Sequence, residues 1–348
     1  MLPDLNELEA VLLNVSGQVK LDVRFRALFT LKGLAALSHD KCERVIDIIA
    51  KGFTDDSALL KHEMAYVLGQ LKDTRALAYL ENVLNDPHQH CMVRHEAAEA
   101  MGAISSPQAL PILRKYVYDD PDVAIRETCH LAIHKIELDN SDAGREERAL
   151  QAQRDQEHGD AIAAAARATA PIDPAPAIVH VPHDDAKTSS IYTLENVPHF
   201  RAVLLDPSLS LFERYRAMFA LRNTVQQGGT DAQVPAVQAL VDALADKSAL
   251  FRHEICFVFG ELCHPACIPA MSRVLKDSSE HEMVRHEAAE ALGAVLEESG
   301  QSTASEVMDV LREYANDESA PRVVRESCIV ALDEIAYNND PTQFQRIE

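Results

Sequence analysis

No apolar run in this chain of 348 residues approaches the roughly 20 that a membrane-spanning helix needs, so no membrane span is expected. Met1-Leu2-Pro3-Asp4 lacks the basic start and apolar stretch of a secretory leader, and none is expected there. Positive charge is scarce: 33 Lys and Arg stand against 55 Asp and Glu, a formal net charge of −22. That balance argues against nucleic acid and suits a basic partner. The seven cysteines are odd in number and lie mostly inside apolar helical stretches, as reduced thiols of a cytoplasmic protein would. Cys263-His264-Pro265-Ala266-Cys267 has the look of a metal knuckle, but no second Cys/His pair completes it. No alternating strand pattern, phosphate loop, dinucleotide fingerprint or nucleophile elbow is found. The zinc-protease pattern fails because Tyr66 and Glu99 stand where its second histidine would fall.

What is present is ordinary soluble composition, 47 % hydrophobic and 25 % charged, at a length that suits two domains. Into it are set Lys61-His62-Glu63, Arg94-His95-Glu96, Arg252-His253-Glu254 and Arg285-His286-Glu287. The pairs are 33 residues apart within each set, and the second set is the first displaced by 191. A glycine follows each histidine by seven residues: Gly69, Gly102, Gly260 and Gly293. It reads most simply as a helix C-terminal position, with close packing as the other possibility.

At 100° per residue, the apolar positions around His62 (Leu60, Met64, Leu68, Leu71) lie on the side of the helix opposite the histidine. The other three pairs repeat this, so each histidine points away from its own helix's core stripe and each glutamate stands about 100° round from it. Solvated surface pairs would satisfy one such helix. Four in matched register point to a shared site.

The repeat extends beyond the pairs. Arg24-Phe25-Arg26-Ala27-Leu28-Phe29 is echoed by Arg214-Tyr215-Arg216-Ala217-Met218-Phe219, with Phe25 and Tyr215 in the histidine slot. Val123-Ala124-Ile125-Arg126-Glu127 is matched by Val323-Val324-Arg325-Glu326. The first set has units near 25, 62, 95 and 127, separated by second helices and by stops at Asp86-Pro87 and Asp120-Pro121. This period predicts an all-α helical-repeat solenoid in two pseudo-symmetric halves of about four helical hairpins each, 1–139 and 191–348. Residues 140–190, proline-rich and without an aromatic between Tyr118 and Tyr192, read as a partly disordered linker. An insertion is expected around 297–305.

Halves facing each other would bring four histidines and four glutamates together. Such ligands without thiolate suit iron or manganese, and eight suffice for two metals. Two histidines and one carboxylate per metal leave positions open for water or dioxygen, and leave two glutamates over. The matched sets make the spare pair either Glu63 with Glu254 or Glu96 with Glu287, and Glu63 with Glu254 is the favoured pair, available to hold a cationic substrate. His90 and His281, also 191 apart, read as loop residues rather than partners of the site.

Ser57-Ala58-Leu59-Leu60-Lys61-His62-Glu63, Met92-Val93-Arg94-His95-Glu96-Ala97 and Ser248-Ala249-Leu250-Phe251-Arg252-His253-Glu254 resemble the deoxyhypusine hydroxylase family, as does the stretch from Arg24 to Leu31. The likeness covers roughly 20–135 and 205–335. It implies a HEAT-repeat monooxygenase with two Fe²⁺ ions on His62, Glu63, His95, Glu96, His253, Glu254, His286 and Glu287. It further implies dioxygen as co-substrate and deoxyhypusine-bearing translation initiation factor 5A as partner. A monomer in the cytoplasm, or also the nucleus, is expected. The alternatives are a HEAT-like scaffold, a HEAT-like chromophore lyase and a di-metal hydrolase on the same ligands.

Overall fold

The computed structural model describes residues 4–157, 171–181, 190–296 and 301–338. Among them are seventeen α-helices and no strand, as the repeat period predicts. None is long and apolar enough to cross a membrane. The first eight form four hairpins: α1 (Leu5–Leu12) with α2 (Leu21–Ala35), α3 (His39–Lys51) with α4 (Ala58–Gln70), α5 (Leu77–Asn85) with α6 (Cys91–Ile104), and α7 (Leu110–Asp119) with α8 (Val123–Asp139). After α9 (Asp142–Glu157) four more follow. They pair α10 (Val197–Leu205) with α11 (Leu211–Gln227), α12 (Thr230–Ala243) with α13 (Ala249–Leu262), α14 (Ile268–Lys276) with α15 (Glu282–Val295), and α16 (Gln301–Asn316) with α17 (Arg322–Asn338).

The second helix of each hairpin packs on the second helix of the next, so α2, α4, α6 and α8 stack in order, as do α11, α13, α15 and α17. α17 then meets α2 and α4, and α8 meets α11 and α13. The eight inner helices therefore close on themselves. This explains why histidines turned from their own apolar stripe are nevertheless buried, with His62 and His253 4 % exposed and His95 and His286 fully covered.

Local chemistry repeats with the helices. Arg24, Arg94, Arg214 and Arg285 each donate Nε to a carbonyl ending the preceding outer helix, that of Leu12, Leu84, Leu204 or Leu275, at 2.8–3.1 Å. These carbonyls have no partner within their own helix, so each arginine closes a hairpin. Ser57 and Ser248 cap α4 and α13, accepting from Leu60 and Phe251 at 3.0 Å. The same hydroxyls donate at 2.7 Å to Glu326 and Glu127 respectively. The matched Arg-Glu motifs thus fasten the last hairpin of each set to a His-Glu helix of the other.

The glycines do more than end helices. They sit in the last turn, but a Cβ on Gly69 would lie 2.8 Å from Ala100 Cα, and one on Gly293 2.9 Å from Ala331 Cβ. Gly102 faces Ala132 at 3.0 Å. Close packing of inner helix on inner helix is the larger reason for glycine there. His90 and His281 are N-caps of α6 and α15, each Nδ1 accepting a backbone N–H at 3.3 Å. His90 Nε2 also meets Glu282 Oε1 at 3.2 Å, clasping α6 to α15. Cys91 completes a possible ligand cluster there, but the capping bond occupies His90 Nδ1.

Within 140–190, α9 and residues 171–181 are described, and 158–170 and 182–189 lie outside the described residues. The second stretch is packed: Ala175 is fully buried and Val179 5 % exposed. The start of the expected 297–305 insertion also lies outside the described residues.

Candidate metal centre

The four His-Glu pairs meet at one place. Ring centroids of His62, His95, His253 and His286 stand 5.5, 5.4, 5.4 and 5.3 Å apart around a near-equal-sided quadrilateral. Glu63, Glu96, Glu254 and Glu287 are all at most 9 % exposed beside them. Each ring stands on an inner helix, and the residues three positions on, Ala65, Ala98, Cys256 and Ala289, are small and fully buried.

Seven buried side-chain nitrogens and oxygens among the described residues lack a hydrogen-bond partner, and all belong to this set. They are His62 Nε2, both ring nitrogens of His95 and His253, Glu254 Oε1 and His286 Nε2. His62 Nε2 lies 3.3 Å from Glu96 Oε2, and His253 Nε2 3.2 Å from Glu287 Oε2, both without hydrogen-bond alignment. Leaving one polar group buried and unpaired costs about 1–3 kcal/mol. Each neutral imidazole offers one lone-pair nitrogen, and four such rings with unpaired nitrogens side by side fit cations that would take those lone pairs up.

Electrostatics agree. Burial, and then the neighbouring rings His253 and His62, hold His95 well below its ordinary value. Burial and the His62 and His253 rings do the same to His286, and burial with His62 brings His253 down to about 4. Burial opposes charge on His62 too, but Glu96 and Glu63 outweigh it and raise that ring. Burial pushes Glu63, Glu254 and Glu287 upward. Crowded carboxylates with no cation between them would rather hold protons; neutral imidazoles are what a metal needs.

Groups that satisfy ligand spacing are His62 with His95 and His253, His253 with His286 and Glu287, and His95 with Glu96 and Glu99. The set expected from sequence is brought together entire. Missed were Glu99 and Glu290, four residues after His95 and His286 and therefore on the same helix faces. Their own 191-residue spacing was the available signal. Glu290 accepts from Ser327 at 2.9 Å and stands 3.4 Å from His286 Nδ1, fixing that ring. Burial raises Glu99 and Glu290 as well. Cys263 and Cys267 join none of these groups. A cavity of about 210 Å³ is lined by His62 and His253, by Glu63 and Glu254, and by Tyr66, Phe257 and Ile172.

HEAT repeats match residues 43–134, 88–170 and 237–333. A deoxyhypusine hydroxylase of Mycosarcoma maydis is 57 % identical over 356 residues, covering 99 % of this chain and 98 % of that one. The deoxyhypusine hydroxylase of Schizosaccharomyces pombe is 43 % identical over 333 residues, covering 96 % and 92 %. The solved structure of human deoxyhypusine hydroxylase in complex with glycerol matches with a TM-score of 0.72 at 40 % identity, over 95 % of this chain and 96 % of that one. With its repeats, its closed stack of inner helices and its buried His-Glu centre, the chain belongs to the deoxyhypusine hydroxylase family, and is a hydroxylating oxidoreductase.

Proposed function

We propose that this protein hydroxylates the deoxyhypusine side chain of translation initiation factor 5A with dioxygen, at a centre of two iron ions. The observation that carries the reading is the gathering of unpaired imidazole nitrogens and buried carboxylates beside a cavity lined by six glutamates. His62, His95, His253 and His286 with Glu96 and Glu287 would hold the metals, two histidines and one carboxylate to each. Iron bound there would supply the activation of dioxygen that no side chain can provide.

The chain's own groups do the rest. Glu63 and Glu254 stand outside the closest ligand groups and line the cavity, where they hold the substrate's ammonium groups by charge-assisted hydrogen bonds. Phe257, Ile172 and Pro174 line the same cavity, cover the substrate's methylenes and exclude water. Each half, 1–139 and 191–348, contributes two His-Glu pairs, and 140–190 joins them. The protein acts as a monomer in the cytoplasm.

The test is incubation of protein loaded with ferrous iron, an added two-electron reductant and deoxyhypusine-bearing factor 5A in air, followed by mass spectrometry of the modified side chain. Addition of one oxygen atom, absent without dioxygen, is expected. An unchanged substrate overturns the proposal, and turnover independent of dioxygen favours the hydrolase alternative.

A further inference from the structure

The eight residues of the centre repeat faithfully between the two sets, but the rim of the cavity does not. On α2 and α4 the rim residues are Phe29, Lys32, Tyr66 and Gln70; the equivalent positions on α11 and α13 hold Phe219, Arg222, Phe257 and Glu261. Arg222 is 8 % exposed, forked onto Asp173 at 2.5 and 2.7 Å and joined to Glu261 at 3.0 Å. Its guanidinium lies over the ring of Phe219, which is fully buried. Asp173 belongs to Pro171-Ile172-Asp173-Pro174, a strap whose Ile172 N–H reaches across to Gln70 Oε1 at 3.1 Å.

Pro171, Ile172 and Pro174 all face the cavity. The strap therefore lies against the α11–α13 rim through the Asp173–Arg222 pair and reaches α4 by a single bond to Gln70. Among the described residues no ion pair ties the strap to the α2–α4 rim, which it meets at Gln70. There Phe29 is 42 % exposed, against none for Phe219. Lys32 makes no ion pair among the described residues; its ammonium rests 5.3 Å from the Tyr66 ring and 6.0 Å from that of Phe29. A half-buried cation against two aromatic faces, with Glu63 as its charged neighbour in a carboxylate-rich cavity, sits where another cation could sit.

We infer that the strap makes the paired centre one-sided, so that the substrate's amine-bearing side chain enters over Phe29 and Tyr66, across the place Lys32 holds. This rests on the function proposed above and adds the direction of entry and the residues that set it. The aromatic rim takes the passing ammonium and methylene groups, while the like charge of Lys32 opposes them.

Binding of deoxyhypusine-bearing factor 5A to iron-loaded protein under anaerobic conditions tests this without requiring turnover. Phe29→Ala should weaken binding at least fivefold and Lys32→Met should tighten it about threefold, each with wild-type iron content. Either variant binding within twofold of wild type overturns the inference, and so does a shift of the opposite sign. Both positions are partly exposed, so folding is not at stake. Wild type that binds the substrate but never oxygenates it would sink the proposed reaction and leave the direction of entry standing. Wild type that does not bind it sinks both.

Discussion

At the scale of residues, the four glutamates divide by what they touch. Glu96 and Glu287 face imidazole nitrogens at 3.3 and 3.2 Å, whereas Glu63 bonds back to its neighbour His62 Nδ1 at 3.1 Å. Glu96→Gln or Glu287→Gln should therefore lose metal, read by elemental analysis. Glu63→Gln or Glu254→Gln should keep it and weaken substrate binding by about 1.5–3 kcal/mol, the usual worth of a charged hydrogen bond. The opposite pattern would exchange the roles.

Protonation gives a second prediction. Glu63, Glu254 and Glu287 have folded-state values raised chiefly by burial, so they favour the metal-free fold below their ordinary 4.5 and cost it stability as pH rises. His95, His253 and His286 are depressed, so their effect is confined to pH below 6.5, where the metal-free fold loses stability as pH falls. A bound dication removes the carboxylate cost. The difference in melting temperature between metal-loaded and chelated protein should widen from about pH 5 to pH 8. A gap that narrows over that range would contradict the assignment.

The pairs were legible from sequence because two periods, 33 and 191, marked the same eight residues. Glu99 and Glu290 carried the second period too, but without an adjacent histidine to draw notice.

At the scale of elements, helix on helix approach decides what the glycines tolerate. Alanine in place of glycine within a helix gains about 0.5–1 kcal/mol from the unfolded chain. At Gly69 the new Cβ would meet backbone of α6 at 2.8 Å, and overpacking of that kind costs about 1–3 kcal/mol. At Gly260 the approach to Ala291 is an ordinary 3.4 Å. Thermal unfolding should thus show Gly69→Ala destabilised and Gly260→Ala neutral or slightly stabilised. Equal effects would mean that the helix spacing is not what selects glycine. The repeat period disclosed the hairpins and their stops at proline. It could not separate a helix end from a close approach, since both ask for glycine at one position.

At the scale of the whole molecule, closure of the inner helices is what turns eight ordinary helix-face residues into a buried centre. The Ser57–Glu326 and Ser248–Glu127 bonds hold that closure at two equivalent seams. Glu127→Ala with Glu326→Ala should lower metal affinity at least tenfold with helical content intact by far-ultraviolet circular dichroism. Unaltered affinity would show that the seams close without these bonds. Pairings of this kind join residues 121 and 269 apart, which no local pattern encodes. The strap was equally hidden, because Asp173 meets Arg222 across 49 residues and outside any repeat. Membership in a hydroxylase family sets aside the scaffold and lyase alternatives.

Metal stoichiometry tests the centre most directly. Purified protein should carry about two iron atoms per chain, because four histidines and two carboxylates meet the needs of two ions. His62→Ala, His95→Ala, His253→Ala and His286→Ala should each lose iron while their helical content stays near wild type. Full occupancy in any two of these variants would contradict the assignment of the four histidines to a shared metal centre.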